Sequence, residues 1–374
     1  MTFPLRGIRV LDLTRHFPGA HCTLLLADLG AEVVKVEAPG AGDPVRGPGG
    51  TSPGHIGLNR GKRSITLDTR RPAGLDVLRR LVAGADAVVD SARPGAMEEA
   101  GFGYPQAAAV NPRLVWAALS SFGADGPYAG RAGHDITFLG QSGLLAAMAD
   151  QLPWMPQTVI AAPVAGAVAA LAVAAALAGA ARTGTGCFVD ASITDASTWL
   201  LSGLPARFTA GAPRMGWAAG RRLYRCADDR WVSVAAAEPR TWRALCRVLD
   251  ADDLADRRTA PAEEQAAMAE RFEKVFATRP AARWVESDPA ATIGAVNEGP
   301  DLLTDPHAVA RGALVDVAGT RVPATPVRLT DAEGRRSSTP TTGPPALGAD
   351  TDEILLAAGV PADELARLRA DGVI

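Results

Sequence analysis

Two stretches decide the fold: Ile8-Arg-Val-Leu-Asp-Leu13 and Ala31-Glu-Val-Val-Lys-Val-Glu37. Both are short and rich in valine and leucine, as buried strands are. Between them lie a turn, Thr14-Arg-His-Phe-Pro-Gly-Ala-His21, and a helical run from Cys22 to Leu29 that Gly30 ends. Strand, glycine turn, helix, glycine, strand is the βαβ pattern of a parallel sheet. The pattern continues outward. Asn59-Arg-Gly-Lys-Arg-Ser-Ile-Thr-Leu-Asp68 runs into a strand, and Pro72 to Val82 forms a helix with Leu75, Leu78 and Leu81 at apolar positions. Further strands are predicted at Ala87–Asp90, Leu114–Ser120 and Cys187–Ser192. The fold class is α/β.

This arrangement resembles a nucleotide-binding fold but lacks G-x-G-x-x-G, so nothing in it supports NAD binding. From Leu223 the composition changes. Leu223 to Ala235 reads as a hairpin, and helices at Thr241–Leu249 and Pro261–Ala277 point to a smaller α+β domain. Thr320 to Gly348 is a proline- and threonine-rich return, and Thr351–Ala370 a final helix. The expected organisation is a large domain from 1–190 plus 325–374, a linker at 191–222 and a small domain at 223–320. The loop Ala206–Gly220, with Pro213 and three glycines, falls in that linker.

A chain of 374 residues with a net charge of −3 lacks the basic surplus of a nucleic-acid binder. Cys22, Cys187, Cys226 and Cys246 are scattered and form neither a metal-ligand cluster nor a disulfide framework. The N-terminal residues lack the layout of a signal peptide. Val159 to Ala181 is long enough to raise a membrane question, but it is mostly alanine and contains Pro163 and two glycines. A closely packed buried helix is the expectation, with no membrane partner and a cytoplasmic location.

Candidate chemistry begins at Gly133-His134-Asp135-Ile136-Thr137-Phe138, where a polar loop gives way to the apolar run Ile136–Met148. A histidine at a helix entrance can act as a general acid or base. The alternative reading is an ordinary surface or packed imidazole, with Asp135 only a helix cap. Arg60, Lys62 and Arg63 stand beside Gly61, a cluster that can hold phosphate oxygens or simply form a solvated basic turn. Arg93, in Arg93-Pro-Gly95, follows a strand at its carboxyl end, where open α/β sheets bind ligands.

In order along the chain, Leu5–Leu13, Leu26–Glu37, Asn59–Asp68, Arg93-Pro-Gly95, Asn111–Val115, Phe122–Pro127, Gly133–Ile136, Arg182–Gly186 and Asp305-Pro-His307 resemble family III CoA-transferases. That family includes the α-methylacyl-CoA racemases. The resemblance implies a Rossmann-like large domain, a smaller domain, an interlocked homodimer and a coenzyme A thioester as substrate, with no permanently bound cofactor. Arg60, Lys62, Arg63 and Arg93 then become candidates for the CoA nucleotide. Ala92 stands where the family commonly has an aromatic residue.

Gly133-His-Asp-Ile136 and Ala237-Glu-Pro239 resemble the racemase branch, in which the histidine is one of two acid/base groups flanking the acyl α-carbon. Glu238 is the candidate that orients His134, or else an exposed acid at a strand end. Counting back from Arg182–Gly186 places the family's second catalytic group, an aspartate, at Ala162. In transferases that aspartate attacks the thioester. Alanine neither takes a proton nor attacks a carbonyl, and the nearest upstream carboxylate is Asp150. Three readings follow. One is a racemase-type enzyme using His134, with water or Asp135 in place of the aspartate and one-sided α-proton exchange. Another is a CoA transferase or thioesterase with a different nucleophile, and the third a scaffold that only binds its ligand.

Overall fold

Six strands form one parallel sheet: β1 (Arg9–Leu13), β2 (Glu32–Glu37), β3 (Arg63–Thr66), β4 (Ala87–Asp90), β5 (Val115–Ser120) and β6 (Phe188–Ser192). The computed structural model describes residues 3–148, 153–208 and 218–374. Strand order is β3-β2-β1-β4-β5-β6. The chain winds outward from β1 on one side and from β4 on the other. The crevice beyond their carboxyl ends is therefore the switch point of a doubly wound sheet.

Crossover helices cover both faces, which is why the strands are apolar on both sides. Leu11, Val34, Val88 and Trp116 pack with Leu75 and Leu78 of the helix Pro72–Ala83 and with Leu355 and Leu368 near the C-terminus. Val10, Val33, Val89 and Val115 pack on the other face with Cys22 and Leu26 of the first helix, His16–Asp28, and with Ala169 and Val173 of the long helix, Ala161–Thr183. These two helices touch backbone to backbone. A Cβ at Gly166 would stand 2.6 Å from the Pro18 carbonyl oxygen and from the Cβ of His21. The expectation of a buried long helix holds for one face only, since Leu171 is 72% and Val168 37% exposed.

The chain divides into two compact units, Met1–Arg207 with Gly312–Ile374, and Phe208–Arg311. Within the second, β7 (Arg221–Arg225), β8 (Trp231–Ala235) and β9 (Ile293–Ala295) form a small antiparallel sheet over an aromatic core of Tyr224, Trp242, Phe272, Phe276 and Trp284. These boundaries differ from the expected ones for reasons of packing. The hairpin β10 (Leu314–Val317) and β11 (Thr320–Pro323) goes with the first unit because Val317 and Val322 bury against Ile56. The helix Ile193–Trp199, expected in the linker, buries Ile193 and Ala196 with Ala161 and Ala165. Residues 209–217 of the expected linker lie outside the described residues.

Two helix limits also differ. The first helix begins at His16 rather than Cys22. The expected single C-terminal helix is two, Thr351–Ala357 and Ala362–Ala370, because Gly359 adopts φ 81 and Pro361 opens a new helix.

Under the first helix the sheet buries charge. The β1–β2 register sets Asp12 beside Lys35. Asp12 Oδ1 accepts from the Thr14 amide at 3.0 Å and its hydroxyl at 2.6 Å, while Oδ2 accepts from Thr23 Oγ1 at 2.6 Å and Lys62 Nζ at 3.1 Å. Lys62 also donates to Thr23 Oγ1 at 2.7 Å and Asn59 Oδ1 at 3.0 Å. Lys35 pairs with Asp43 at 2.9 Å and donates to the Thr14 carbonyl. Burial alone would raise the Asp12 pKa, but the two ammonium groups and two hydroxyls outweigh it and hold the carboxyl well below the usual range.

Removing one member of such a buried pair leaves a charge with too few partners. Lys62→Met is expected to destabilise the fold by about 3 kcal/mol, measured by urea unfolding. A loss within the scatter of a surface substitution would show that Lys35 and the hydroxyls suffice for Asp12.

Candidate active site

A cavity of about 940 Å³ opens beyond the carboxyl ends of β1, β4 and β5, a volume suited to a cofactor-sized molecule. Its walls are the Arg15–Pro18 turn after β1, Ser91–Pro94 after β4, Leu119–Ser121 at the end of β5, and the segments 129–136 and 155–159, with Phe138, Ala162 and Ile193. It sits at the sheet's switch point. The described residues that line it belong to the first unit.

His134 and Asp135 both line it. Gly133 lets the chain pass over Phe138, whose ring a Cβ there would meet at 2.5 Å. His134 then caps the helix Asp135–Gln141 in an extended conformation, with its side chain exposed and its amide donating to Thr137 Oγ1 at 3.5 Å. Asp135 caps a helix, though not its own. Oδ2 accepts from the Ile160 amide and Oδ1 from the Ala162 amide, each at 2.9 Å, so the carboxylate closes the N-terminus of the long helix. This contact fixes the His134 turn to the first turn of the long helix. Ala162 is in that turn, buried, and part of the cavity wall.

Of the four cations expected at the nucleotide, Arg93 lines the cavity and is ion-paired with Glu99. The other three are not brought there. Lys62 is enclosed with Asp12. Arg60 is buried, pairs with Asp28 at 2.7 Å and donates to the Gly57 carbonyl. Arg63 opens β3, at the end of the sheet away from the cavity, and is shared among Glu32, Asp350 and Glu353. Glu238 lies in the second unit, exposed at the start of the helix Pro239–Val248. Its amide donates to Thr241 Oγ1 and its Oε2 accepts from the same hydroxyl, both at 3.1 Å.

Sequence reasoning missed three cavity residues: Arg15, His16 and Arg131. The signal for Arg15 and His16 was available, because they follow β1 where a doubly wound sheet binds its ligand. Nothing local marks Arg131, whose guanidinium lies 3.9 Å from the centre of the Tyr128 ring.

A doubly wound sheet with a cavity at its switch point, lined by histidines and arginines, defines the class of this α/β protein. The chain belongs to CoA-transferase family III, whose model matches residues 5–351. It is 31% identical over 404 residues to an acyl-CoA transferase from Fusarium pseudograminearum, covering 99% of this chain and 88% of that one. It is 31% identical over 389 residues to the human alpha-methylacyl-CoA racemase, covering 99% and 97%. A solved CAIB/BAIF family protein from Brucella suis superposes with a TM-score of 0.83 at 29% identity, covering 96% of this chain and 100% of that one. The family is one of enzymes acting on CoA thioesters, transferases and racemases alike.

Beside the cavity, Asp90 ends β4 and is buried. Its oxygens accept from the Ala92 amide at 2.8 Å and from Trp116 Nε1 at 2.5 Å. Burial pushes its carboxyl up from 3.8 to about 6, with Glu98 adding to the rise and the two donors opposing it. A folded-state pKa above the unfolded one favours the protonated form. The stability this contributes is present below about pH 4 and is lost as pH rises to about 6. Above that the fold carries a buried carboxylate. Asp90→Asn keeps an acceptor for Trp116 and removes the charge, so its Tm should exceed that of the wild type at pH 7.5, with the gap closing toward pH 4. Parallel Tm–pH curves for the two proteins would contradict this.

Proposed function

We propose that this protein is an acyl-CoA enzyme of the racemase or epimerase type, with His134 as an acid/base at the α-carbon of the acyl group. The observation that carries the reading is that His134 and Ala162 stand in the wall of one cavity. An imidazole suits removal of a proton α to a thioester, because it exchanges protons near neutrality. Ala162 gives that wall only a methyl group. The carboxylate missing at this position is the nucleophile of the resembling transferases and the second acid/base of the resembling racemases, so it is the retained His134 that favours proton transfer over acyl transfer.

Arg93 and Arg15, on neighbouring turns of the same cavity, are the residues proposed to meet the CoA phosphates. Arg15 has no ion-pair partner among the described residues, and its amide is fixed by Ser91 Oγ at 2.9 Å. Glu238 is proposed to orient the His134 imidazole. Asp135 serves as the anchor that holds His134 in place. A homodimer is proposed as well, with the apolar outer face of the long helix available to a second copy; sedimentation velocity would test this.

The test is α-deuterium incorporation into a 2-methylacyl-CoA in deuterated water. His134→Asn is expected to slow it by about 10²–10⁴-fold, and Glu238→Gln by less. Arg93→Ala should weaken CoA binding in calorimetry by about tenfold, the scale of one charge-assisted contact. Wild-type exchange that survives His134→Asn unchanged would sink the reading.

A further inference from the structure

The cavity holds a second imidazole. We infer that His16 is a further catalytic acid/base of this site, reaching the acyl α-carbon from a different wall than His134. The inference rests on the acyl-CoA reading above.

Among the described residues, the titratable and charged side chains lining the cavity are Arg15, His16, Arg93, Arg131, His134 and Asp135. Arginine keeps its proton in proteins. Asp135 has each oxygen engaged by a backbone amide of the long helix. Among the described lining residues, His16 and His134 are left as the side chains whose chemistry suits both giving and taking a proton.

The backbone of His16 is held in a conformation that histidine seldom adopts. Its φ is 65, in the left-handed region, which costs a non-glycine residue about 1–3 kcal/mol and persists only where the surroundings impose it. Two contacts impose it here. The Arg15 amide donates to Ser91 Oγ at 2.9 Å, and the His16 amide donates to Asp43 Oδ1 at 3.3 Å. Asp43 is in turn fixed by Lys35 at 2.9 Å. The buried charge network thus extends to the residue that turns toward the cavity.

Placement supplies the rest of the argument. His16 opens the first helix, directly after β1, whereas His134 caps the helix Asp135–Gln141. Pro18 and His21, on the same turn and helix as His16, pack against Gly166, one helical turn beyond Ala162. The start of the first helix therefore adjoins the part of the wall where the resembling racemases place their second group.

The chemistry balances with two imidazoles. Neutral His134 takes the α-proton. The C–H bond breaks and its electron pair passes to the thioester carbonyl as an enolate. Protonated His16 then gives its proton to the α-carbon, its N–H bond breaking as the new C–H bond forms. Afterwards His134 is the cation and His16 is neutral, the state ready for the opposite enantiomer. Racemisation is then expected, in place of the one-sided exchange expected from the sequence.

The test uses the full-length protein with each enantiomer of a 2-methylacyl-CoA in deuterated water, followed by chiral separation and mass analysis. His16→Asn keeps a residue that tolerates the left-handed conformation. It should lower racemisation by about 10²-fold or more while deuterium still enters one enantiomer and CoA affinity stays unchanged. His16→Gly, free of backbone strain, should regain racemisation when imidazole is added, which a purely structural role would not allow. Equal racemisation by wild type and His16→Asn, or a wild type that exchanges without racemising, overturns the assignment and leaves His134 standing. A wild type that exchanges neither enantiomer overturns both.

Discussion

The carboxylate of Asp12, buried between Lys35 and Lys62, is the interaction on which the remainder of the large unit depends. It joins β1 to β2 through Lys35, to the first helix through Thr23, and to the segment before β3 through Lys62 and Asn59. Ions so far from water are tolerated only when nearly every lone pair and proton has a partner. Here two carboxylates, Asp12 and Asp43, offset two ammonium groups, and hydroxyls fill the remaining positions. Such a network is unforgiving of small shifts. That rigidity reaches the cavity, because Asp43 also holds the amide of His16.

Much of the sheet was legible because strands, crossover helices and glycine stops are local signals. The strands at β1, β2, β4 and β5 follow from valine- and leucine-rich runs, and the place of the cavity follows from Arg93 beyond β4. What was not legible is the destination of charge. Lys62 stands in a run of cations beside glycine and reads as exposed, yet its partner is Asp12, fifty residues earlier. Asp135 reads as a cap for the helix it begins. Its oxygens instead serve amides 25 and 27 residues later. No periodicity reports such a pairing. The broken C-terminal helix is a different case: Gly359 and Pro361 carried the signal, and the acidic and apolar pattern across them outweighed it.

Asp135 also limits what the long helix can do for a ligand. The amides at a helix N-terminus form a ready site for an anion. Here the amides of Ile160 and Ala162 are already bound to Asp135, so the negative charge placed there is the protein's own. An anionic ligand must find its positive charge elsewhere in the cavity. The arginines in the cavity wall are Arg15, Arg93 and Arg131, on three different segments.

This gives Ala162 a physical meaning. A second carboxylate at that position would sit in the same helical turn as the amides that hold Asp135. Two anions in one turn repel each other unless a cation or a shared proton intervenes. With alanine there, the helix end is neutralised once, by Asp135, and the wall stays free of further negative charge. Under the reading proposed for this site, acid/base work is then left to imidazoles, which can give up or take a proton without an anion being buried beside an anion.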